Sequence, residues 1–347
     1  MKGLKLYLQA SLFVAVAVLY LLTLIQTVKD ARKRVFSIDV MKYSQDYVCE
    51  RWDEVQIGKM VTLVKEAGAT HLAVSSPLDA VICPDGRMVN SVNLTKLWVS
   101  KARKENLKIW FRMKHSSMEG FYGTPRNLDP QFHILVHQEF IAKNPSLFQS
   151  GDIYTVNPEP ENAGIEGINC FPSQQCLFKG RDLQETVTSF NQWVVDAVLA
   201  TQKTFATIGL GKRVRVGYFG FNGFISWGDR NPKWDGILSP QTIFKTGNIV
   251  VFDHFFPSET DPKNEYKKIR NHFNNSTALC VGEWGATKGQ SADYVEEVLK
   301  AAYKNGIRCF NYWQLGPHGI ESLTTMEGSN LIPNDYYEVV KNFYTSH

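Results

Sequence analysis

Eight times along this 347-residue chain a short apolar run, rich in Val, Ile and aromatics, gives way to a polar loop and then to a helical pattern. The runs cover residues 35–40, 71–75, 108–113, 152–156, 214–219, 249–254, 278–283 and 308–313. Helical stretches follow at 51–67, 93–106, 130–143, 182–206, 239–246, 262–273, 290–305 and 333–344. The fourth shows the period well, with Leu183, Val187, Phe190, Val194, Ala197 and Val198 on one face, and Asp182 and Ser291 suit helix caps. Strands that alternate with helices predict a parallel sheet. Eight such units predict a closed (β/α)8 TIM barrel rather than an open doubly wound sheet. The open alternative also lacks its fingerprints, since no GxGxxG follows the first run and no phosphate-binding loop is present. One barrel needs about 250 residues, so the length fits a single barrel with insertions, the largest at 157–181 after the fourth run.

Ahead of the barrel lies a different kind of segment. Residues 6–28 contain no Asp, Glu, Lys or Arg, long enough to cross a hydrocarbon core of about 30 Å. A cleaved leader has a shorter apolar region, so the run predicts an uncleaved transmembrane helix, with a long signal peptide as the alternative. Two domains are expected: a membrane anchor with a basic juxtamembrane segment at 1–34, and one catalytic barrel at 35–347. Residues 1–34 hold six basic side chains and one acid, which leaves 32 basic and 33 acidic for the rest. The body therefore has no basic excess, and no nucleic-acid partner is expected. Basic residues 29–34 alone would favour a cytoplasmic body. Cys170 and Cys176 lie in one polar loop and either bridge outside the cell or stay as two thiols. No cysteine and histidine spacing suggests zinc, and no metal site is expected.

Active sites of such barrels form at the C-terminal ends of the strands. The fourth run leads into Asn157-Pro158-Glu159-Pro160-Glu161, and the seventh ends Gly282-Glu283-Trp284-Gly285. A carboxylate at one strand end has an ordinary explanation, a pairing with a lysine or a helix terminus. Two of them on the fourth and seventh strands of one barrel point to catalysis.

These two motifs, on that topology, resemble the large clan of retaining glycoside hydrolases built on β/α barrels. The resemblance covers residues 35–347 and rests on the two short motifs. It implies an acid/base glutamate ending strand four, usually after Asn, and a nucleophile glutamate ending strand seven before an aromatic and glycine. Glu283 matches the nucleophile. Pro158 separates Asn157 from Glu159, so the acid/base is Glu159 with Glu161 as the alternative, the latter expected on the loop surface. The chemistry requires such a pair: one carboxylic acid protonates the leaving oxygen while a carboxylate about 5–5.5 Å away attacks the anomeric carbon. The resemblance further implies Asn157 on the sugar 2-hydroxyl, His254 beside the nucleophile and Trp313 under the sugar ring.

Trp284 and His115 complete the expected binding residues, with Arg112 and Lys114 beside His115. Asp39 ends the first run and binds either a hydroxyl or an arginine. Tyr122, Phe219, Phe221, Phe224, Trp227 and Trp234 sit near strand-end loops, as carbohydrate-stacking faces or as core under long loops. The expectation is a membrane-anchored, extracytoplasmic retaining glycosidase acting on an oligo- or polysaccharide without a cofactor. Two rivals stand beside it, a non-catalytic carbohydrate-binding barrel and a barrel enzyme of another class.

Overall fold

A computed structural model of the chain describes residues 34–41, 43–44, 49, 53–75, 81–113, 129–163, 177–222, 236–257, 260–328 and 330–347. The apolar run 6–28, His115 and the Cys170 and Cys176 loop lie outside the described residues. Among the described residues no helix is long and apolar enough to cross a membrane.

The expected runs form the barrel strands β1 (Val35–Asp39), β2 (His71–Val74), β3 (Lys108–Met113) and β4 (Ile153–Val156). They continue as β5, in two pieces (Arg215–Val216 and Phe221–Asn222), β6 (Ile249–Asp253), β7 (Ala278–Trp284) and β8 (Cys309–Tyr312). Strands β1 to β4 pair in parallel in sequence order, β6, β7 and β8 do the same, and β8 lies beside β1. The circle closes through the broken fifth strand. Its first piece pairs with β4 and its second with β6. Gly217 and Gly220 make the break, at φ 95° and 66°, a region other residues enter only with strain. At Gly217 a side chain is excluded outright, because a Cβ would come within 2.5 Å of the Thr246 carbonyl oxygen. The single run expected at 214–219 is therefore two short pieces around a kink.

Among the described residues eight α-helices alternate with the strands: α1 (Glu54–Glu66), α2 (Ser91–Lys104), α3 (Pro130–Lys143), α4 (Leu183–Thr207), α5 (Pro240–Lys245), α6 (Pro262–His272), α7 (Ala292–Lys304) and α8 (Asp335–Ser346). Asp182 and Ser291 cap α4 and α7 as expected. The α2 and α8 helices are displaced two residues from expectation, because Asn90 and Asn334 are the residues whose side chains accept the first free amides.

Alternation along each strand sorts side chains into two layers. One set, including Phe111, Tyr154, Phe252 and Phe310, meets the helices in the apolar core. The other fills the barrel with polar groups: Asp39, His71, Arg112, Thr155 and Asn311, all buried. Outside the barrel, residues 81–82 pair with 88–89 in a small hairpin, which the Cys49–Cys83 disulfide ties to the loop after β1. A second disulfide joins Cys280 and Cys309, register partners on β7 and β8.

Candidate active site

The strand β7 pairs regularly with its neighbours as far as Val281 and then slips. Against β6 the next paired residue is Glu283, opposite Asp253; against β8 it is Trp284, opposite Tyr312. One extra residue, Gly282, is thus accommodated in a bulge, a device that re-aims the side chains beyond it. Strict alternation would turn Glu283 towards the helices. The bulge turns it into the barrel, where its carboxylate accepts from Arg112 Nη2 at 2.8 Å and keeps 15% of its side-chain surface open. Trp284 is carried the other way. It is 2% exposed and meets Tyr312 edge-on at 4.8 Å, so it is a core residue and not part of the expected binding surface.

Arg112 is the hub. Its Nη1 donates to Asp39 Oδ2 at 2.9 Å, its Nη2 donates to Glu283, and Asp253 Oδ2 lies 3.9 Å from the same nitrogen. Burial opposes the charge on Arg112, but Glu283, Asp39 and Asp253 together outweigh it and hold the guanidinium well above its ordinary pKa. A cation bonded to a carboxylate favours its ionised form. Asp39 is fully buried and also accepts from Met41 N and from Asn311 Nδ2. It is thus the partner of an arginine, and the hydroxyl-binding reading of Asp39 gives way to this. Arg112 likewise serves the protein interior, at 2% exposure, and not open solvent.

The irregular strand-four motif has a structural counterpart. Asn157 and Glu159, on either side of Pro158, both adopt positive φ, at 52° and 46°. Non-glycine residues in that region are strained, and such strain clusters at functional sites. The double kink docks the Glu159 amide on the Gly220 carbonyl of the broken strand at 3.0 Å, leaving Glu159 half-buried. Glu161 is fully buried in the 3-10 turn Pro160–Ala163, not on the loop surface as expected. The amide of buried Asn157 donates to Met113 O, one residue beyond Arg112.

Trp313 lies beside the cluster, with the Arg112 guanidinium 5.9 Å from its ring centroid. The sequence places His254 beside the nucleophile, with its side chain on Glu283 or on substrate. Its backbone amide donates to the Glu283 carbonyl at 2.8 Å, while its ring stacks on Phe256 with centroids 4.2 Å apart. The β6 residue beside Arg112 is Asp253. Strand phase points to it, since Asp253 alternates with the inward Val251 of the same strand. Phe219 and Phe221 stack on each other, Phe221 meets Phe190 of α4 edge-on and Phe219 packs at a tilt on Trp193, so these two loop aromatics are core. Among the described residues no group of His, Cys, Asp and Glu is arranged to hold a metal ion.

No family model matches the chain, and no curated protein matches it in sequence. Solved structures do match. The GH5_18 protein of Bifidobacterium longum subsp. longum, solved in complex with Manβ1-4GlcNAc, superposes with a TM-score of 0.63 at 9% identity, over 90% of this chain and 78% of that one. A hyperthermophilic endocellulase from Pyrococcus horikoshii gives 0.63 at 13% identity, over 90% and 92%. The catalytic domain of the major endoglucanase of Xanthomonas campestris pv. campestris gives 0.59 at 11% identity, over 90% and 95%. The chain therefore has the β/α-barrel fold of glycoside hydrolases.

Proposed function

We propose that this chain is a retaining glycoside hydrolase acting on a β-linked glycan. The observation that carries the reading is Glu283, turned into the barrel by the bulge at Gly282 and bonded to Arg112. In this reading a Glu283 carboxylate oxygen attacks the anomeric carbon as the bond from that carbon to the leaving oxygen breaks. Glu159 gives its proton to that oxygen. A water then attacks the same carbon, gives a proton to Glu159 and frees Glu283. Glu159 is preferred over Glu161 because it is only half-buried while Glu161 is sealed in its turn. Trp313 is the candidate platform for the sugar ring, and Asn157 for its hydroxyl. No cofactor enters these steps.

The reading includes a single-pass anchor at residues 6–28 and a body outside the cytoplasm. The Cys49–Cys83 and Cys280–Cys309 disulfides support an oxidising compartment. Protease added to intact cells should digest the body, and protection would overturn that part.

Activity is tested with the full chain in detergent on aryl β-glycosides and β-glucan and β-mannan polysaccharides, beside Glu283→Gln, Glu159→Gln and Glu161→Gln. Good leaving groups need little acid assistance. Loss of all cleavage in Glu283→Gln, with Glu159→Gln failing mainly on poor leaving groups, is expected. The same selective failure in Glu161→Gln would move the acid two residues. Binding without cleavage in the unaltered protein would make the chain a carbohydrate-binding barrel.

A further inference from the structure

Asp253 has no role in the double displacement just described, yet the fold makes room for it at some cost in sequence freedom. Its carboxylate occupies a slot between β5 and β7. A Cβ at Gly282 would lie 2.7 Å from Asp253 Oδ1, and a Cβ at Gly220 would lie 3.0 Å from Oδ2. Gly220 already needs its positive φ, but Gly282 has no such demand on its backbone. At Gly282 it is the space for Asp253, and for Val251 Cγ1 at 2.5 Å, that excludes a side chain.

We infer that Asp253 is a positioning residue for Glu283 and acts through Arg112. Arg112 Nη1 is committed to Asp39, whereas Nη2 donates to Glu283 at 2.8 Å with Asp253 Oδ2 at 3.9 Å. Asp253 and Glu283 are register partners across β6 and β7, so the backbone fixes them as neighbours on one guanidinium nitrogen. That nitrogen has two N–H bonds. The arrangement has two consequences for a nucleophile. A second carboxylate competes for Arg112, so Glu283 is less tightly ion-paired and keeps a more available oxygen. When Glu283 becomes an uncharged ester, Arg112 loses that ionic partner, and Asp253 is placed to hold the guanidinium until water restores the carboxylate.

The inference rests on the reading of Glu283 as the nucleophile, but its test does not depend on turnover. Among the described residues, the charged groups that share the Glu283 cluster are Arg112 from β3, Asp39 from β1 and Asp253 from β6, with the His254 backbone amide on the Glu283 carbonyl. The full chain in detergent, carrying glutamate labelled with 13C at the carboxyl carbon, is titrated by NMR, with the Glu283 resonance assigned by its loss in Glu283→Gln. Removing a nearby like charge favours the carboxylate form. The Glu283 midpoint should therefore move down by about one pH unit in Asp253→Asn. Asp253→Ser, smaller and uncharged, should move it the same way. The acidic limb of the kcat/KM profile on an aryl glycoside should move with it, with kcat reduced and KM little changed.

A Glu283 midpoint that stays put in a variant with the parent thermal transition would overturn the inference. Failure of both variants to fold would also overturn it, by assigning Asp253 to the scaffold. Absence of cleavage by the unaltered protein would instead end the glycosidase reading, while the titration still reports whether Asp253 and Glu283 share Arg112.

Discussion

Two arginines, Arg112 buried and Arg103 half-buried, meet aspartates at opposite ends of this barrel, and the two clusters are built in different ways. Below the strands, Arg103 of α2 grips Asp152 with both nitrogens, Nη1 on Oδ1 at 2.9 Å and Nη2 on Oδ2 at 2.5 Å. The amides of Ile109 and Gln149 take the remaining positions on that carboxylate. One positive charge meets one negative charge, and every carboxylate oxygen is used. Above the strands, Arg112 faces Asp39, Asp253 and Glu283, one cation against three carboxylates. Asp39 accepts from Arg112, Asn311 and Met41. A closed, neutral pair resists exchange of partners and serves the fold. A guanidinium shared among several carboxylates can redistribute its hydrogen bonds when one of them changes charge, which suits a reactive site.

The largest expected effects separate the two ends by the property each one loses. Glu283→Gln should lower kcat on aryl glycosides by about 10^4-fold or more while leaving the denaturation midpoint unchanged or raised, because it removes a like charge from a crowded cluster. A fall in stability without a fall in rate would reverse the assignment. Asp152→Ala should do the opposite. It leaves the half-buried Arg103 and the amides of Ile109 and Gln149 without their acceptor, which costs about 2–4 kcal/mol, read as a lower midpoint in urea. Under conditions where that variant stays folded, its kcat should match the parent.

Within the upper end, Glu159→Gln should reduce cleavage of poor leaving groups by about 10^2–10^4-fold and of activated aryl glycosides far less. Glu161→Gln, altering a carboxylate sealed from solvent, should act on stability and spare this selectivity. Equal loss on both substrate types in Glu159→Gln would show that it is not the proton donor.

The sequence pattern predicted the eight strands, the order of the helices and the two motif-bearing strand ends, because periodicity and strand termini are local properties. It did not identify what turns those ends into a site. Glu283 enters the barrel through a one-residue slip at Gly282, and a glycine between Val281 and Glu283 does not declare a bulge until the neighbouring strands are in place. For the same reason the sequence alone does not show that Trp284 faces the core. Arg112 was noticed as a strand-end residue facing substrate, whereas its three carboxylate partners come from strands up to 171 positions away. The two disulfides among the described residues join positions about 30 apart, Cys49 with Cys83 and Cys280 with Cys309, and no local spacing pairs them.

The smallest expected effect belongs to the lower end and depends on pH. His71, at the start of β2, is 1% exposed. Its Nε2 lies 3.1 Å from Arg215 Nη2, and its Nδ1 lies 2.7 Å from Thr70 Oγ1. An arginine has only donors to offer. With Nε2 accepting from Arg215, Nδ1–H donates to Thr70, whose hydroxyl in turn donates to the Phe36 carbonyl. Burial, and then the Arg215 charge, push the His71 pKa well below its usual value. The native imidazole therefore stays neutral at a pH where the unfolded chain has bound a proton. More protons on the unfolded state make stability fall as pH falls. The contribution is full above about pH 6.5 and is lost below it, at a slope approaching 1.4 kcal/mol per pH unit. Urea denaturation at pH 7, 6 and 5 should show this slope in the parent and a flatter one in His71→Gln. Parallel slopes would mean that His71 is protonated in the native barrel, beside Arg215, and that burial does not keep the imidazole neutral at this end.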